Sequence, residues 1–188
     1  MVCRDQSYFD RSHPFVPILH QRQYFSWARQ SSKTESQTCL QYAMWTLAAS
    51  LSAQLQHLRD SLYDCTRKML ESLESKDTNT DFNDIEHVQA RILLLIYDFM
   101  QTNHQRGWMS AGRCFRLLQL MRLYEIDTPE NGTRRNNSME PENWIKTEEK
   151  RRTFWMAYSL DRFISIRQEW PLTLNEQVVS LAIKSRTR

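Results

Sequence analysis

An aspartate on the apolar stripe of a helix constrains this chain more than any other feature. The stretch Glu148-Glu149-Lys150-Arg151-Arg152-Thr153-Phe154-Trp155-Met156-Ala157-Tyr158-Ser159-Leu160-Asp161-Arg162 begins with charged residues, after which Phe154, Tyr158 and Asp161 fall at i, i+4 and i+7. That spacing puts the three on one helical face, with Ala157 and Ser165 beside them. Trp155, Ser159 and Arg162 form the adjacent stripe, and Glu148 with Arg152 makes an i, i+4 pair worth roughly 0.2–0.5 kcal/mol. A carboxylate on such a face is costly to bury unless it is paired or fully hydrogen-bonded. Asp161 must therefore meet a cation, for which Arg113 and Arg116 are candidates, or backbone N–H groups at the start of a helix near Leu174.

The same period organises most of the chain. Leu40, Ala43, Met44, Leu47, Ala48, Leu51 and Leu55 recur at three and four residues, with Ser36 or Thr38 as the expected N-cap. Leu58, Leu62, Cys65, Met69 and Leu73 continue the pattern, with Ser61 as a candidate cap. Asp84 or Asn83 is expected to cap a helix whose face is Ile85, Val88, Ile92, Leu93, Ile96, Phe99 and Met100; Leu94 and Leu95 make it apolar nearly all round, hence central. After a turn at residues 102–107, Trp108, Ala111, Gly112, Phe115 and Leu118 trace the next helical face. Mid-helix Gly112 costs about 1 kcal/mol relative to Ala, which close approach of another helix would offset.

Residues 75–83 and 127–142 read as polar loops, the second bounded by prolines. The signature helix is expected from about Lys146 to Gln168, where Trp170-Pro171 stops it. Before the first long helix, residues 13–20 hold two prolines and are extended, and a short helix follows at about 21–30. Residues 1–12 are read as a disordered leader and 13–188 as one domain. Nothing alternates at period two, so the expected fold class is all-α, a multi-helix bundle.

Composition removes several function classes. Three glycines cannot supply a GxGxxG or GxxxxGK[ST] phosphate cradle. A net charge of +3 does not by itself predict nucleic-acid binding, and Glu148 and Glu149 neutralise much of the field of Lys150, Arg151 and Arg152. The four cysteines form no CxxC pair and are expected reduced and mostly buried, while the five histidines show no HxxxH or HExxH spacing. Asp77, Asp81 and Asp84 do not fit a calcium loop, and no GxSxG elbow occurs. No catalytic residue, metal ligand or cofactor is therefore assigned to the chain. The longest aliphatic run, Ile92 to Ile96, is too short to span a membrane. Trp45, Trp108 and Phe115 are candidate core or pocket-lining aromatics.

Four blocks then occur in order: His13-Pro14-Phe15-Val16-Pro17-Ile18-Leu19-His20, Val88-Gln89-Ala90-Arg91-Ile92-Leu93-Leu94-Leu95-Ile96-Tyr97, Trp108-Met109-Ser110-Ala111-Gly112-Arg113-Cys114-Phe115-Arg116-Leu117 and the Glu148 to Arg162 stretch. Together they resemble the fungal-specific transcription factor domain, the middle homology region of regulators that carry a binuclear zinc cluster. The resemblance implies a nuclear, all-helical regulatory domain that controls transcription without catalysis. Its implied partners are other protein subunits, the transcription machinery or a small-molecule effector, with no membrane. Arg151, Arg152, Phe154, Trp155, Tyr158, Asp161 and Arg162 are its signature-helix residues here.

Members of that family read DNA through an amino-terminal cluster of six cysteines holding two zinc ions. Cys3, Cys39, Cys65 and Cys114 cannot build one, so zinc and direct DNA binding are expected only in a missing segment. Two further departures are Glu169-Trp170-Pro171, where the family commonly has Gly-Arg-Pro, and the end at Arg188, where the family continues with more helices. The domain is accordingly expected to be incomplete at its C-terminus. The competing expectation is a non-regulatory helical scaffold or truncated remnant with no DNA-binding activity of its own.

Overall fold

Helix is the only regular structure among the described residues. The computed structural model describes residues 2–75, 84–102, 104–126 and 141–174. They form α1 (Val2–Arg11), α2 (Gln21–Ala28), α3 (Glu35–Ser50), α4 (Arg59–Ser75), α5 (Ile85–Met100), α6 (His104–Leu120) and α7 (Pro141–Gln168), with 3-10 turns at Ala53–Leu58 and Leu123–Glu125. Asp77, Asp81, most of both polar loops and the closing residues 175–188 lie outside the described residues. The chain divides into two units, Met1–Cys114 and Phe115–Arg188.

In the first unit α3 packs against α1, α4 and α5. Eleven of the sixteen residues of α3 are buried and eleven of the sixteen of α5, so the core is a pair of helices rather than α5 alone. α3 starts at a capping box. Thr34 Oγ1 accepts the Gln37 N–H at 3.1 Å, and Gln37 Oε1 accepts the Thr34 N–H at 3.1 Å. Ser36, expected as the cap, is instead buried inside the first turn and donates to Asp84 Oδ2 at 2.8 Å, which ties the starts of α3 and α5 together. Ser61 is likewise no cap: the 3-10 turn runs straight into α4 at Arg59.

The stretch expected as a disordered leader is ordered where it is described: Val2–Arg11 is helical. The correction has a polar cause. Asp5 is buried, and its Oδ1 accepts the Trp45 indole N–H at 2.6 Å and the Tyr24 hydroxyl at 2.7 Å. Gln41 donates to Tyr24 Oη at 2.9 Å, Lys33 donates to Gln41 at 2.8 Å, and the Arg4 guanidinium lies 4.4 Å from the Trp45 ring centre. Burial, and then the hydrogen bond to Asp5, push the Tyr24 hydroxyl far above its ordinary range. Tyr8 and Phe9 supply the apolar half of the same contact.

The extended segment after α1 is held by side chains. His13 donates to Leu19 O at 2.8 Å, His20 caps α2 by accepting the Gln23 N–H, and Gln89 on α5 donates to Ile18 O at 3.0 Å. Helix α6 begins at His104, inside the expected turn. A Cβ on Gly107 would stand 2.9 Å from the Phe99 ring, so this glycine permits a close approach. Gly112, to which that role was assigned from sequence, has nothing within 4 Å of such a Cβ.

Candidate functional site

The second unit is built around α7. The helix starts at Pro141, one turn before the expected Lys146. Along it Glu149, Thr153, Phe154, Ala157, Asp161, Ile164 and Ser165 are buried, and Trp155 and Tyr158 are half-buried. It ends in a Schellman closure: the Trp170 N–H reaches Ser165 O at 3.2 Å, with Glu169 in the left-handed region at φ 57°. Pro171 then prevents any continuation.

Asp161 and Arg162 grip the chain that returns after this stop. Asp161 Oδ2 accepts the N–H of Leu174 at 2.8 Å and that of Thr173 at 3.1 Å. Both Nη1 and Nη2 of Arg162 lie 3.4 Å from Leu174 O, and the same guanidinium covers the Tyr158 ring at 3.3 Å from its centre. Leu174 is buried. An acceptor and a donor on consecutive residues thus satisfy the N–H and the C=O of one return residue. Of the partners left open by sequence, the structure brings Asp161 backbone N–H groups; Arg113 is 3.6 Å from Glu74 within the first unit. Arg162 Nη1 is 3.9 Å from Asp161 Oδ2, a looser contact than the N–H bonds.

At the other end of α7 both signature arginines turn to one acid. Glu148 accepts from Arg152 at 3.1 Å and also from Arg151. Burial by itself would raise the Glu148 carboxyl, but the hydrogen bonds from Arg152 and Arg151 outweigh it and hold the carboxyl below the usual range. Both cations are thus partners of a half-buried acid on their own helix.

The three candidate aromatics differ in burial. Trp45 is buried beside Ala49 and Leu62, Phe115 is buried on α6, and Trp108 is half exposed. The buried residues of α6, Gly107, Ala111, Cys114, Phe115 and Leu118, leave Trp108 off that stripe. Sequence reasoning also missed two polar centres of the first unit. Asp98 is buried and accepts from Tyr63 at 2.7 Å and Ser110 at 2.8 Å. Arg91 is buried, pairs with Glu74 at 2.6 Å and donates to His87 Nε2 at 3.1 Å. Both line a cleft of about 280 Å³ in which Arg67, Arg91, Arg106 and Arg113 face Glu71, Glu74 and Asp98. The polar positions on a helix as apolar as α5 were the available signal.

The described cysteines do not fit a zinc cluster. Cys39 and Cys114 are fully buried, burial pushing each thiol up to about 12 against the pull of Arg91, and no three metal-ligating side chains converge among the described residues. No described helix is long and apolar enough to cross a membrane.

The chain matches the fungal specific transcription factor domain over residues 6–183. It belongs to that family. Among curated members of this fungal transcription factor family, it is 59% identical over 180 residues to the pigment biosynthesis transcriptional activator pigB of Monascus ruber, covering 96% of this chain and 32% of that protein. It is 56% identical over 170 residues to the tropolone cluster transcription factor tropK of Talaromyces stipitatus, covering 90% and 29%. It is 54% identical over 177 residues to the citrinin biosynthesis transcriptional activator mrl3 of Monascus ruber, covering 93% and 33%. The chain thus spans about a third of the length of these relatives. No solved structure matches it.

Proposed function

We propose that this chain is the regulatory core of a fungal transcription factor that controls a set of biosynthetic genes. The match to the family over residues 6–183 carries this reading. The named relatives are transcriptional activators of pigment and citrinin biosynthesis and a tropolone cluster transcription factor. Within the chain, the Asp161–Arg162 grip fixes the end of the signature helix, while Phe163 and Ile166 one turn apart, together with Trp144, remain exposed for protein contacts. Regulation works by packing and by protein or effector contacts in the nucleus. DNA is reached through a zinc-bearing segment or a partner outside these residues.

The test is a fusion of the 188-residue chain to an unrelated DNA-binding domain in a fungal host, with a reporter behind the matching operator. Reporter output that departs in either direction from that of the DNA-binding domain alone supports regulation. Equal output from a fusion present in the nucleus at the same level supports the scaffold reading instead.

A further inference from the structure

The cleft between α4, α5 and α6 pairs its charges unevenly. Arg67 is matched by Glu71 at 3.1 Å, and the two oxygens of Asp98 accept hydroxyl hydrogen bonds from Tyr63 and Ser110. Glu74 serves two guanidiniums at once: its Oε1 lies 2.6 Å from Arg91 Nη2, and its Oε2 lies 3.6 Å from Arg113 Nη1. Two cations thus share one acid at this end, which leaves one positive charge in excess.

The donors of this pair are not used up. Arg91 is buried, with Nε on His87 Nε2 at 3.1 Å and Nη2 on Leu70 O at 3.5 Å as well as on Glu74. Its Nη1 makes no hydrogen bond among the described residues yet keeps accessible surface, so it opens on the cleft that Arg91 lines. Arg113, half exposed on α6, makes no hydrogen bond at all among the described residues. Burial holds the Arg91 guanidinium below its ordinary range despite the pull of Glu74, and the Arg113 charge acts in the same sense as burial. This end of the cleft is short of negative charge and has N–H groups to spare. Asp98 stands two turns further along α5, about 10 Å away in helix rise, so its charge bears weakly on an anion held at Arg91. Leu70, Leu94 and Met109 add apolar wall. The volume of about 280 Å³ lies at the lower edge of small-molecule sites, which run roughly 300–1,000 Å³.

We propose that Arg91 and Arg113 bind the oxyanion of a small organic acid, a carboxylate or a phosphate monoester, whose compact apolar body rests on Leu70, Leu94 and Met109. A guanidinium presents planar, forked donors that match either oxyanion, and Arg91 Nη1 is the donor held in place by burial. The anion supplies the charge that Glu74 leaves unbalanced. This deepens the effector form of the regulatory reading and rests on it for its consequence. An anion bridging the two arginines ties α6 to α5, which is how a ligand would favour one packing of the unit over another.

The test is isothermal titration of the intact 188-residue chain with benzoate and with phenyl phosphate at fixed ionic strength, with benzamide as the neutral match in shape. At least one of the two anions should bind saturably at one site, and benzamide should bind at least roughly 10-fold more weakly. The tighter anion identifies the source, a carboxylic acid or a phosphate monoester. Arg113→Gln should weaken binding roughly 10-fold, the worth of one charge-assisted hydrogen bond. Arg113 is half exposed, so the variant should keep its melting temperature. Arg116→Gln removes the same charge from an exposed position outside the cleft and should leave affinity unchanged. Binding of neither anion, equal binding of benzamide, affinity indifferent to Arg113→Gln, or an equal loss with Arg116→Gln would each overturn the proposal. Binding is read without transcription, so its failure leaves the reporter test of regulation standing, and a silent reporter leaves the anion site standing.

Discussion

Asp161 Oδ2 accepts the N–H of Leu174 at 2.8 Å across thirteen residues of chain. The same carboxylate holds Thr173, and neighbouring Arg162 holds the carbonyl of Leu174. A buried acid is here stabilised by dipoles of the segment it positions, so removing it leaves the N–H groups of Thr173 and Leu174 without this acceptor.

Asp161→Ala should therefore destabilise the second unit by about 3 kcal/mol, since a charged acceptor is lost and the buried Leu174 N–H is stranded. Asp161→Asn keeps one acceptor oxygen without the charge and should lose about half as much. Urea unfolding followed by far-ultraviolet circular dichroism reads both, and an unchanged transition for Asp161→Ala would remove the residue from its structural role.

Asp5 is the corresponding acid of the first unit. Asp5→Ala strands the Trp45 N–H and the Tyr24 hydroxyl and should cost about 2–4 kcal/mol. Deleting residues 1–12 should also lower the melting temperature, whereas deletion of a disordered leader would leave it unchanged.

Stability should fall on mild acidification because of His87. Burial first, and then the adjacent Arg91 charge, lower its pKa to about 4 from 6.5, with Asp84 opposing. Between those values the unfolded chain takes up a proton that the folded chain refuses, so the histidine's contribution is complete above 6.5 and is lost as pH falls toward 4. The Glu148 carboxyl, held low by its arginines, adds a loss of the same sign at still lower pH. Unfolding midpoints measured from pH 7 to pH 4.5 should decline, and His87→Gln should flatten the upper part of that decline.

Two backbone positions should gain from opposite substitutions. Glu169 sits at φ 57° where the resembling family commonly has glycine, so Glu169→Gly should stabilise by about 0.5–1 kcal/mol. Gly112 lies mid-helix with open space around it, so Gly112→Ala should stabilise by up to about 1 kcal/mol. Gly107→Ala should fall short of that gain because the Phe99 ring must move. Thermal melting of the three variants checks the order.

Periodicity made α3, α5, α6 and α7 legible, because which face is apolar is local information. The α3 cap was also written locally, as Thr34 and Gln37 three residues apart, and was passed over for Ser36, whose real partner lies forty-eight residues away. Helix α1 was not legible. Its buried Asp5 reads as a solvated charge until Trp45 and Tyr24 close on it, and those contacts are long-range. At the candidate site, the need of Asp161 for a partner was readable from its stripe, but the choice between arginine and backbone N–H depended on the return of residues 173 and 174. Trp108 shows the reverse failure, an aromatic at helical spacing that stands half exposed one position off the buried stripe of α6.

Amide hydrogen exchange at Leu174 tests the Asp161 grip most directly. In the native chain this amide should be protected, and Asp161→Ala should accelerate its exchange by about 100-fold or more while the amides of α3 and α5 keep their protection, consistent with a loss of about 3 kcal/mol confined to the second unit. Equal protection of Leu174 in both proteins would contradict the grip.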